Sequence, residues 1–166
     1  MTMSFLDWLQ ELTVAVAIRE GDVLFPWIEC FHVLALTLVI GSIAIVDLRL
    51  IGLASRDRSV AETTALALPI TWSAFVVAAI TGGLLFASNA TVYAGNRYFQ
   101  VKALLIVLAG ANMAVYQLLS RGREAAWLTP ALTPRSARVA GGLSLLLWVL
   151  VAACGRWIGF TLNAPD

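Results

Sequence analysis

The sequence predicts an all-α protein: a four-transmembrane-helix bundle preceded by an amphipathic helix at the membrane interface. Three observations carry that prediction. Of 166 residues, 60% are hydrophobic and only 13% charged, where a soluble domain carries about a quarter charged residues. Mean hydropathy is +0.86. Four apolar runs each reach the ~20 residues a helix needs to cross hydrocarbon. The connections between them are too short to fold separately, so residues 1–166 read as a single membrane domain.

The first element is an amphipathic helix over 4–18. Phe5, Trp8, Leu9 and Leu12 fall on one face and Asp7, Gln10 and Glu11 on the other, a pattern suited to lying on a membrane surface. Ser4 with Asp7 three residues on is an N-cap signal. Asp7 and Glu11 interrupt the apolar stretch and no basic start precedes it, so this is not read as a signal peptide. Gly21 and Pro26 then turn the chain into the membrane. The spans follow at 23–53, 66–88, 98–119 and 139–162. The first exceeds the membrane thickness and is expected to tilt or protrude. An Asn/Gly/Tyr-rich loop, Asn89–Asn96, joins the middle pair.

Arginines set the orientation. Arg49, Arg56 and Arg58 flank the first connection, and Arg121, Arg123, Arg135 and Arg138 the third. The positive-inside rule places both in the cytoplasm. The expected location is therefore a bacterial inner membrane, multi-pass, with both termini periplasmic. Trp127, Pro130 and Pro134 lay the third connection along the inner interface.

A net charge of +1, from 11 Lys+Arg and 10 Asp+Glu, excludes an electrostatic nucleic-acid binder. One histidine excludes an HExxH zinc site. Cys30 and Cys154 are too few and too far apart for a zinc motif or a disulfide framework. The chain holds no P-loop, no GxSxG elbow and no paired carboxylates at one depth, so no enzyme class is assigned.

Charges within the spans mark a candidate site, because each costs about 3 kcal/mol on insertion scales and needs a partner or a cavity. Glu29, His32, Leu36, Ile40, Ile43 and Asp47 share one stripe of the first span. Arg49 points the other way and is expected to snorkel. Lys102 lies about one turn into the third span and Arg156 about two turns before the end of the fourth. Alternating topology brings Glu29, His32, Lys102 and Arg156 to one level near the outer face. Asp47, Asn112, Tyr116 and Gln117 form a second, inner-side polar station. It lies ~22 Å below His32 at 1.5 Å per residue.

Three chemistries fit the outer group. Heme b would use His32 as metal ligand with Lys102 and Arg156 on the propionates. A quinone headgroup, a close relative of that first reading, would use His32 and Glu29 as hydrogen-bond or proton partners. Copper would draw on His32, Cys30, Cys154 and Met113, although Cys30 points away from His32 on a helix. The third is no ligand: a structural subunit of a larger complex, its polar cluster a lock between helices. In each case the bilayer is a partner, and a homo-oligomer or a membrane-complex partner is expected.

The run His32-Val-Leu-Ala-Leu with Gly41, Asp47-Leu-Arg49-Leu-Ile-Gly52, Phe99-Gln-Val-Lys102, Asn112 and Gly155-Arg156 resembles a family of small bacterial four-helix membrane proteins of unassigned function. More distantly, the chain is similar to copper-resistance D-type membrane proteins and small b-type cytochromes. That similarity implies metal or heme handling by analogy of fold and His placement. Many members of the family carry a histidine after the Asn-x-x-x-aromatic stretch, where this chain has Gln117. The departure implies no inner-side metal or heme site and leaves His32 with Lys102 and Arg156.

Overall fold

The computed structural model describes residues 3–54, 57–120 and 133–162. Arg56, Arg121, Arg123, Trp127 and Pro130, which enter the sidedness and interface expectations, lie outside them. Seven helices follow in order: α1 Phe5–Gln10, α2 Thr13–Glu20, α3 Leu24–Ile51, α4 Val60–Ser88, α5 Ala90–Gly95, α6 Arg97–Ser120 and α7 Arg135–Leu162. The described residues contain no strand. Four of the helices (α3, α4, α6 and α7) are long and apolar enough to cross a membrane.

Local chemistry sets the helix ends. Ser4 caps α1 through a reciprocal box, its Oγ accepting the Asp7 N–H at 3.2 Å while Asp7 Oδ2 accepts the Ser4 N–H at 3.1 Å. Ser59 and Glu62 make the same box for α4. Asn96 Oδ1 accepts from the Tyr98 and Phe99 amides at the start of α6. These contacts satisfy N–H groups that no helical carbonyl can reach. α3 ends at Gly52, whose φ of 88° lies in the left-handed region and lets its N–H return to Leu48 and Arg49 carbonyls.

The elements differ from the expected spans in instructive ways. α4 starts at Val60, not Leu66, because its capping box lies upstream of the apolar run. α7 starts at Arg135, so the helix includes arginines that the apolar run left out. The Asn89–Asn96 loop contains a helix, α5. The N-terminal segment forms two helices broken at Glu11–Leu12. There Arg19 donates to the Gln10 carbonyl at 3.0 Å and the Ser88 carbonyl at 3.3 Å, and faces Glu11 at 3.8 Å. Arg19 thereby holds the break against the end of α4. Arg49 does not snorkel. It is fully buried and donates from Nε to the Arg58 carbonyl at 2.6 Å, because the α3–α4 turn folds back over it.

The long helices stand in the order α4–α3–α7–α6, with α3 packed on α4 and α7, and α6 packed on α7. Val39, Ala74, Ala109, Leu147, Trp148 and Val151 make the central core. α7 approaches α3 closely at Gly141, where a Cβ would sit 3.1 Å from the Asp47 carbonyl oxygen. At the α5 end, Phe86 of α4 stacks on Phe99 of α6 at 5.2 Å, and Tyr93 of α5 leans on Phe99. At the other end α4 and α6 stand apart and flank an open groove. All four long helices also expose large apolar side chains, such as Leu34, Leu66, Val107 and Val149. A water-facing monomer rarely carries so much contiguous apolar surface.

Candidate functional site

His32 sits half-buried about two turns into α3 from its α5 end. Its Nδ1 lies 3.0 Å from the Ala78 carbonyl and 3.0 Å from Thr81 Oγ1, both on α4. A carbonyl only accepts, so Nδ1 carries the proton. The Thr81 hydroxyl hydrogen is taken by the Val77 carbonyl at 2.7 Å, leaving its oxygen to share the imidazole N–H. Nε2 is then the unprotonated nitrogen, and it makes no hydrogen bond among the described residues. Such a lock on one nitrogen orients the other as ligand or acceptor.

Gly82 clears space for the ring, and Gly155 borders Lys102. A Cβ on Gly82 would stand 2.9 Å from His32 Cε1, so α4 admits the ring only because that position has no side chain. A Cβ on Gly155 of α7 would stand 3.6 Å from Lys102 Nζ. The Lys102 ammonium acts electrostatically on His32. It has no ion pair or hydrogen bond among the described residues, and it lies one helical turn below Phe99. The Phe86–Phe99–Tyr93 ring cluster thus lies toward the α5 end from Lys102.

The other two expected members stand apart from it. Glu29 is exposed, one turn above His32 on α3. Its reach is toward Tyr93: burial first, then the Glu29 carboxylate, raise the Tyr93 phenol above its usual range. Arg156 is exposed on α7, its guanidinium 4.5 Å from the centre of the Phe160 ring, a cation–π contact. Glu29 and Arg156 make no ion pair with each other. Cys30 is exposed and Cys154 is partly buried within electrostatic range of Lys102. No three His, Cys, Asp or Glu side chains cluster as a metal site among the described residues.

The inner-side group does share one space. Asp47, Asn112, Tyr116 and Gln117 all line the groove between α4 and α6, about 190 Å³ in volume. Asp47 is buried and bonds Ser144 of α7, while Oδ2 has no partner among the described residues. Asn112 donates to the Ala140 carbonyl at 3.0 Å, tying α6 to α7. Trp72, Phe75 and Trp148 complete a largely apolar wall.

Reading the sequence alone misses Ala78, Thr81, Gly82 and Gly155 around the outer station, and Ser144 and Trp72 in the groove. The Ala78/Gly82 and Gly155/Gly159 spacings are visible as small-xxx-small pairs, but that pattern signals close helix packing in general. Only the fold shows that Gly82 faces an imidazole and Gly155 an ammonium.

No curated protein and no solved structure matches this chain. A family model does, over residues 5–161. The protein therefore belongs to the family of unknown function DUF6644.

Proposed function

We propose that this chain is a multi-pass protein of a bacterial inner membrane, both termini periplasmic, that binds a quinone headgroup at the His32–Lys102 station. One observation carries the reading: inside a span-length helix, an ammonium with no ion pair or hydrogen bond among the described residues lies within electrostatic range of an imidazole whose Nδ1 is held by α4. An unpartnered charge at that depth is costly and calls for an oxygen-rich ligand. A bound quinone supplies two-electron, two-proton chemistry. Lys102 would donate to a ring oxygen and His32 Nε2 would accept a proton from a ring hydroxyl. The Ala78 carbonyl keeps the imidazole oriented as that proton arrives.

Heme b is the second reading, favoured by the same Nδ1–H lock, which suits a ligating imidazole. It is the weaker one because Arg156 leans on Phe160, leaving Lys102 as the single cation for two propionates. Copper handling has His32 as its main support, and the more distant resemblance adds only analogy. A structural subunit, alone or in a homo-oligomer, would need neither a free Nε2 nor an unpaired Lys102.

Titration of the purified chain with a short-chain quinone, followed by tryptophan fluorescence, tests the proposal. The expected result is saturable binding weakened at least tenfold, about 1.4 kcal/mol, in both Lys102→Met and His32→Ala. Arg156→Gln should bind as the parent does. A Soret band lost in His32→Ala would move the assignment to heme b. Unchanged affinity in both variants would refute the site.

A further inference from the structure

The groove at the other end of the bundle has its own chemistry, and the quinone reading leaves it unused. Its walls are apolar and aromatic, with Trp72 and Phe75 from α4, Tyr116 from α6 and Trp148 from α7. Asp47 lies among them, only 5% exposed, with Oδ2 unpartnered. Among the described residues it bonds a neutral serine, Ser144. No Lys or Arg side chain pairs with it among the described residues. Arg49, two residues on, is committed through Nε to the Arg58 carbonyl in the α3–α4 turn. A buried carboxylate without a cation is strongly disfavoured unless something of opposite charge or a proton joins it. Aromatic faces around a carboxylate are the arrangement that recognises an organic ammonium group, through charge pairing and cation–π attraction together.

Size and access narrow the class. About 190 Å³ is below the usual range for a drug-sized ligand, so the groove suits a one-ring or small branched cation, or the head of a longer amphiphile. It opens between α4 and α6, which meet through Phe86 and Phe99 at the α5 end and stand apart at this one. Entry is therefore sideways, from the surface whose exposed Ile70 and Val115 would face lipid.

We infer that the α4–α6 groove is a binding site for a small lipophilic organic cation, paired with Asp47 and enclosed by Trp72, Phe75, Tyr116 and Trp148. The route relies on the membrane reading above, but the site is independent of His32 and Lys102.

Equilibrium dialysis of the full chain in detergent micelles provides the test. The probe is benzyltrimethylammonium, and neopentylbenzene is its neutral isostere, each measured above protein-free micelles. One cation should bind per chain, at least tenfold more weakly in Asp47→Asn and detectably more weakly in Trp72→Leu. His32→Ala should bind the cation unchanged, which separates this site from the quinone station. Asp47→Asn keeps a partner for Ser144, and Trp72 is half exposed, so its variant leaves the core in place if the first variant fails to fold. Several outcomes overturn the inference: no saturable cation uptake, equal uptake of the isostere, or parental affinity in folded Asp47→Asn or in Trp72→Leu.

Discussion

His32 and Gly82 form one unit, and the pair gives a sharp mutational contrast. A methyl group at Gly82 meets the imidazole at 2.9 Å and must push it off the Ala78 carbonyl. Gly82→Ala should cost about 1–3 kcal/mol, as overpacking does. Gly83→Ala, with nothing within 4 Å, should leave thermal stability unchanged or raise it by up to about 1 kcal/mol, as alanine does in a helix interior. Equal melting temperatures for the two variants would remove the close contact from the account. Tyr93 makes a second residue-scale prediction. Its phenol is held above the usual range by burial and then by Glu29. The stabilisation it contributes is thus intact below the unfolded midpoint near ~10 and is lost as pH rises through the folded one. In a Tyr98→Phe, Tyr116→Phe background, phenolate absorbance should titrate above that reference value. Glu29→Gln should lower the midpoint only in part, since burial is the larger cause. His32 was legible in the sequence because it is the sole imidazole. Its partners were not, because a backbone carbonyl and a missing side chain leave no distinctive pattern.

Helix ends are where apolar runs and helices part company. Hydropathy sees α4 from Leu66, because Glu62, Thr63 and Thr64 dilute the run, yet the Ser59-x-x-Glu62 box, beginning seven residues upstream, starts the helix. That box was readable as a capping signal. Ser59→Ala should cost about 1 kcal/mol, and circular dichroism through thermal unfolding would register it. No loss would mean that the first turn of α4 is held by packing of Val60 alone. The α1–α2 break was not readable. It depends on Arg19 reaching the carbonyl of Ser88, 69 positions away, and no periodicity contains that contact. Arg19→Met should free the N-terminal helices, seen as faster proteolysis before Gly21 with the bundle unchanged.

Across the whole molecule, the number of span-length helices and their alternation followed from composition and run length, whereas the order α4–α3–α7–α6 did not. α3, α4 and α6 show almost no amphipathic face, so none of them announces its neighbour. That order decides which polar residues meet: it joins His32 to Lys102, turns Arg156 out to Phe160, and opens the α4–α6 groove over Asp47. The proposed sidedness can be checked with reporter fusions. An alkaline phosphatase fused after the last residue should be active, and one fused at Asp57 inactive; the reverse would invert the orientation. The most direct measurement of the central claim exploits the single histidine, since ring ¹⁵N labelling then gives one imidazole without assignment. In the ligand-free chain Nδ1 should be protonated and Nε2 bare, with Nε2 alone shifting when a short-chain quinone is added. A proton on Nε2, or an Nε2 signal indifferent to saturating quinone, would contradict the central claim.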